Sequence, residues 1–149
     1  MTTAPSRPAA TGLRAWSPAQ RFAGAFGIIY LLVGLAGFLI TGVRDFAGEH
    51  HHTLVIFAVN PLHNVIHVVL AIAWLAAAPR HRAAKVVNVV LGVVLGLVTV
   101  LGFVGGMGML GMSGIADPDN FLHLATATLS LYFGSVAAGG PSDTGRAQP

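Results

Sequence analysis

Hydrophobic residues run along this chain in four long stretches, over about residues 22–41, 54–78, 86–107 and 121–138, with polar and glycine-rich segments between them. These are the cores of helices expected over 18–42, 54–78, 83–107 and 118–138. An α-helix needs roughly 20 apolar residues to cross the hydrocarbon core of a bilayer. The pattern therefore predicts an all-α fold: a four-helix transmembrane bundle over residues 17–139, flanked by disordered tails at 1–16 and 140–149. The start of the first helix is well marked. Ser17-Pro18-Ala19-Gln20 supplies a capping serine, a proline at the first helical position and a glutamine three residues after the cap. The apolar run that follows is longer than that of a signal peptide and has no small-x-small cleavage site after it, so it reads as a retained span. In the second stretch, Asn60-Pro61 repeats the cap-plus-proline start, which sets residues 54–59 apart as an apolar lead-in bent at Pro61.

Composition carries the same message. Of 149 residues, 54% are hydrophobic and 9% charged, with a mean hydropathy of +0.74, whereas a soluble domain devotes roughly a quarter of its residues to Asp, Glu, Lys and Arg. The net charge of +3 is too thinly spread for a nucleic-acid surface. Its distribution speaks to topology instead. Arg7, Arg14 and Arg21 precede the first span, Arg80, Arg82 and Lys85 lie between the second and third, and Arg146 is in the C-terminal tail. Arg44 is alone in the other loops, which hold Asp45, Glu49, Asp117 and Asp119. Positively charged loops stay in the cytoplasm, so both termini are expected there. Trp16 and Trp74 are then expected near the inner interface, where indole rings prefer to sit. The absence of cysteine excludes disulfides, thiolate metal sites and thiol redox chemistry.

Within these greasy stretches a few polar residues stand out. Asn60, His63, Asn64 and His67 fall at i, i+3, i+4 and i+7, one stripe of a helix. The last span opens in a related way, with Asp117-Pro118 followed by Asn120 and His123. Asn120-Phe121-Leu122-His123 matches Asn60-Pro61-Leu62-His63 as Asn-x-Leu-His, which suggests two helical hairpins of the same orientation. All these side chains then share the outer half of the membrane. The first and third spans carry stripes of small residues, Gly24, Gly27, Gly34, Gly37 and Thr41 on one and Asn88, Gly92, Gly96, Thr99, Gly102 and Gly106 on the other. Such stripes allow close helix approach in lipid. The fourth span adds Thr126, Ser130 and Gly134, completing a polar seam.

The segments "NPLHNVIH" and "DNFLHLATATLSLYFG" resemble the two signatures of a bacterial integral-membrane family, domain-of-unknown-function family 4383. The resemblance covers residues 22–138 and is carried mainly by Asn64, His67, Asn120 and His123. It implies four transmembrane helices, a bacterial plasma-membrane location and no established activity. A glycine expected shortly after each of the two histidines is replaced here, by Leu70 or Ala71 and by Ala127.

Two functions fit the polar stripe. In the first, the chain is a structural or accessory membrane protein, and its polar cluster of Asn60, Asn64 and Asn120 with the histidines hydrogen-bonds across helices. Its partners are then the bilayer and a membrane protein or a second copy. In the second, His63, His67 and His123 form a metal site for Zn or Cu with an open fourth position, or His67 and His123 hold a b-type haem. The asparagines would then fix the second ring nitrogens of the histidines. Two loop features add weaker expectations. The His50-His51-His52 triplet reads first as a solvated loop and second as a Zn, Cu or Ni ligand set. Met107, Met109 and Met112 read first as the apolar exit of a span and second as thioether ligands for Cu(I). Catalysis has the least support. The spans hold no paired carboxylates and no Lys or Arg, and Ser130 is about two turns from His123 along its helix.

Overall fold

The computed structural model describes residues 16–47, 52–112 and 114–135. The tails, with Arg7, Arg14 and Arg146, and the loop residues Glu49, His50 and His51 lie outside them. Four helices dominate: α1 (Pro18–Thr41), α2 (Pro61–Ala77), α3 (His81–Phe103) and α4 (Pro118–Ser135). Of these, α1 and α3 are long and apolar enough to cross a membrane, while α2 is a shorter apolar helix. Two short strands, β1 (His52–Leu54) and β2 (Phe57–Val59), pair antiparallel between α1 and α2. The all-α expectation is thus amended by one hairpin, and the second helix is shorter than the 54–78 stretch. Pro61 is the physical reason. It has no N–H to give and restricts the residue before it, so the helix starts there, and the β-branched segment ahead of it pairs with itself instead.

Each helix start follows local chemistry. Ser17 and Gln20 close a capping box on α1, and the Asn60 side chain accepts from the His63 N–H on α2. On α4 the Asp117 carboxylate accepts from the Asp119 N–H. Packing is tightest between α1 and α2 and between α3 and α4, so the chain is built of two helical hairpins. Both point the same way. Residues from the start of α1, the end of α2, the start of α3 and the later part of α4 meet at one end, linked by hydrogen bonds of Asn88 to Ala19, Trp74 and Ser130. The starts of α2 and α4 meet at the other.

Polar side chains are buried beside an apolar core of Phe22, Leu70, Trp74, Leu91 and Leu95, and many large apolar side chains are exposed. The buried interior holds Gln20, Thr41, Asn60, Asn64, Asn88, Thr99, Asn120, Thr126 and Ser130, whereas Leu32, Ile72, Val86, Leu97, Val100 and Phe121 are exposed, Leu39 at 89%. An aromatic group of Phe22, Phe26, Tyr30, Trp74 and Phe133 fills the middle. Trp74 is wholly buried there and donates its indole N–H to Asn88 Oδ1 at 3.1 Å. It is therefore a core residue and not the interfacial one expected, because a neighbouring helix supplies the acceptor that a membrane surface would otherwise give.

Candidate functional site

Three imidazoles converge where α2 and α4 begin. His63 and His67 sit one turn apart on the same face of α2, and His123 comes across from α4. Their ring centroids are 4.5 Å apart for His63–His67, 5.9 Å for His63–His123 and 6.3 Å for His67–His123. One ligating nitrogen from each lies within 4.8 Å of the others. All three side chains are buried. Both ring nitrogens of His63 and the Nδ1 atoms of His67 and His123 lack a hydrogen-bond partner. The Ala58 and Leu110 carbonyls face the His63 ring without completing hydrogen-bond geometry. A buried polar group left without any partner costs about 1–3 kcal/mol, so these ring nitrogens are the atoms at this end of the bundle most in need of one.

The asparagines do different work from the one expected of them. Asn60 caps α2 and donates to the Met109 carbonyl at 2.8 Å. Asn64 donates to Thr41 Oγ1 at 3.0 Å, and Asn120 to the Gly114 carbonyl at 2.8 Å. They tie helices and loops together, and the orphaned ring nitrogens stay unheld. Each of the latter two also lies against a glycine of its partner helix: a Cβ at Gly37 would fall on the Asn64 carboxamide, and one at Gly102 on that of Asn120. The carboxamide oxygens thus face glycine α-hydrogens, a weak contact that no other residue permits.

These glycine contacts reveal an internal two-fold relation. A Cβ at Gly27 meets Leu75, and one at Gly92 meets Leu131. The two glycines of each hairpin are ten residues apart, and their partners eleven, in both hairpins. The repeat suggested by the sequence is therefore present in the packing but in another register. Asn64 and His67 correspond to Asn120 and His123, whereas the sequence comparison aligned Asn60 and His63 with them. Side-chain contacts set the register, and the shared Asn-x-Leu-His letters do not. In this register Asp119 stands where α2 has His63.

Cavities flank the cluster. One of about 390 Å³ lies between α2 and α3, lined by His63, His67 and His123 together with Leu95, Met107, Met109 and other apolar residues. Met112, by contrast, is fully buried against Gly102. A second, of about 330 Å³, is lined by His67, Asp119 and residues of α1 and the strands. His67 borders both. A larger groove of about 580 Å³ at the opposite end, lined by Trp16, Arg21 and Gly24 among others, holds none of the converging histidines. His52 lies exposed on β1, outside the three-histidine group. Tyr30 and Asp119 are site residues that the sequence reading did not single out. Tyr30 stands edge-on to His67 with centroids 5.1 Å apart.

A family profile described as Domain of unknown function (DUF4383) matches residues 20–136. The chain belongs to this family. Every residue of the histidine cluster, and both glycine–asparagine pairs, fall inside the matched segment. No curated protein and no solved structure matches the chain.

Proposed function

We propose that this DUF4383 protein is a four-span membrane protein that binds a single Zn or Cu ion through His63, His67 and His123. The exposed apolar faces of all four helices and the polar interior support insertion in lipid, since a soluble bundle would bury the first and expose the second. Arg21, Arg80, Arg82 and Lys85 stand around one end, while Asp45, Asp117 and Asp119 stand near the other. By the positive-inside rule the first end faces the cytoplasm of a bacterial plasma membrane, both termini are cytoplasmic and the histidines open toward the outside.

The observation that carries the ion reading is the set of orphaned ring nitrogens. A purely structural cluster would hydrogen-bond across helices, as the carboxamide nitrogens of the asparagines do; both nitrogens of His63 and the Nδ1 atoms of His67 and His123 complete no such bond. A tetrahedral ion with Zn–N bonds of about 2.0–2.1 Å brings its ligand nitrogens to roughly 3.4 Å. Ligand atoms already within 4.8 Å therefore need to draw in by at most about 1.4 Å, a rotamer adjustment. Three imidazoles leave a fourth position facing the cavity between α2 and α3, where a ligand from the lipid side or a Met107 or Met109 thioether can reach. Haem fits less well. The His63 ring, within 6 Å of both other rings, stands on the ground that a porphyrin between His67 and His123 needs.

The test is direct. The full chain, purified in mild detergent, is titrated with Zn(II), with Co(II) as a spectroscopic stand-in, and with Cu(I). One ion per chain with tetrahedral Co(II) bands, lost in His67→Ala and His123→Ala, is the expected result. A colourless, metal-free chain whose ion uptake matches that of the two variants would leave the accessory role, with a membrane-protein partner or a second copy, as the reading to pursue.

A further inference from the structure

The second cavity has its own unmet chemistry. Asp119 is 1% exposed, and its Oδ2 has no hydrogen-bond partner. The Tyr30 hydroxyl, on a residue 5% exposed, faces the Thr126 side chain without completing hydrogen-bond geometry and lies in the field of Asp119. No described cation is paired with this carboxylate; its nearest charged neighbour is Asp117, of the same sign. The N-terminus of α4 offsets part of the charge. Apart from the His67 ring, the rest of the lining is hydrocarbon, with Leu32, Val33, Leu54 and Val59 among it. A volume of about 330 Å³ lies at the small end of ligand pockets.

We propose that this cavity binds a small organic ammonium ion, with its nitrogen against Asp119 Oδ2 and the Tyr30 hydroxyl and its apolar body among the surrounding leucines and valines. A bare metal ion is a poorer fit, because one carboxylate and one phenol in a hydrocarbon wall supply too few oxygens. An amine with an apolar tail uses both kinds of surface. The two-fold relation of the hairpins gives the site its logic. Where α2 offers the His63 imidazole to a metal ion, α4 offers the Asp119 carboxylate, so the two related cavities suit cations of different kinds around the shared His67. The ammonium site does not rest on an ion at the histidines.

Equilibrium dialysis of the full chain in detergent against radiolabelled 2-phenylethylamine tests this, with 2-phenylethanol as the neutral competitor of the same shape. Saturable binding of one amine per chain is expected, with the alcohol competing at least ~10-fold more weakly. Asp119→Asn should weaken binding by ~10-fold or more, Tyr30→Phe by a few-fold, and His63→Ala should leave it unchanged. Ala36→Phe, which fills the cavity from α1 and leaves the acid in the chain, should abolish binding. If Asp119→Asn does not fold, the alcohol and Ala36→Phe decide on their own. Absent saturation, equal competition by the alcohol, or undiminished affinity in Ala36→Phe overturns the proposal. Loss of ion binding in His63→Ala with the amine still held separates the two sites.

Discussion

The two ends of this bundle are both polar and both buried, yet they are finished differently. At the end where α1 and α3 begin, the buried polar side chains among the described residues have their partners. Gln20 donates to the Ala78 carbonyl at 3.0 Å, Ser17 Oγ and His81 Nδ1 are 2.8 Å apart, and Asn88 links Trp74, Ala19 and Ser130 through side chain and backbone. At the end where α2 and α4 begin, His63, His67, His123, Tyr30 and Asp119 are just as enclosed and carry unpartnered atoms. A closed network holds helices together, whereas an open one is held in place by its surroundings. Under the proposed reading the first contributes stability and the second serves a ligand.

Substitutions should expose this contrast. Asn88→Leu should be the most damaging, since it strands the Trp74 indole N–H in the core and removes the tie to the Ala19 carbonyl of α1. A loss of about 3 kcal/mol is expected in detergent unfolding titrations, and a loss below about 1 would mean that the network is ornamental. Next, an ion supplied at about 100 times its dissociation constant should raise the stability of the native chain by about 2.7 kcal/mol. His63→Leu should erase that gain while leaving the ion-free stability within about 1 kcal/mol of the native value, because it removes orphaned groups and breaks no hydrogen bond made by the ring. A large ion-free loss in this variant would assign the histidines to structure. Gly102→Ala, whose Cβ would collide with Asn120, should cost about 2 kcal/mol, and Gly37→Ala against Asn64 a similar amount. Unequal costs would break the two-fold relation. The smallest effect belongs to Gly96→Ala, where nothing lies within 4 Å of the new Cβ. The better helix former should gain about 0.5–1 kcal/mol there.

Much of this was legible in the chain. The i, i+4 spacing places His63 and His67 on one face whatever the tertiary fold, and the cap-plus-proline starts locate α2 and α4 to the residue. The partner of each side chain was not legible. Asn64 and Asn120 read as members of a histidine site until Gly37 and Gly102 are seen beneath them, because a stripe of small residues announces close packing without naming what packs. Asp119 counted as a loop acid that helps set topology, since nothing local distinguishes an exposed acid in a first turn from a buried one. Tyr30 was lost among apolar neighbours for the same reason. The 54–59 run is β-branched and aromatic enough to pair as strands, yet apolar enough to prolong a span. The proline at 61 was the sign that favoured the first.

The matched hairpins have a consequence for how the gene can be rearranged. The chain enters α1 and leaves α4 at the same end of the bundle, and α2 passes to α3 there through a connection of three residues, Ala78, Pro79 and Arg80. A circular permutant opened at that connection, with the old termini joined by a flexible linker, should therefore insert and close as the parent does. The two halves expressed as separate polypeptides should find one another in the membrane through the same Asn88 and histidine-end contacts.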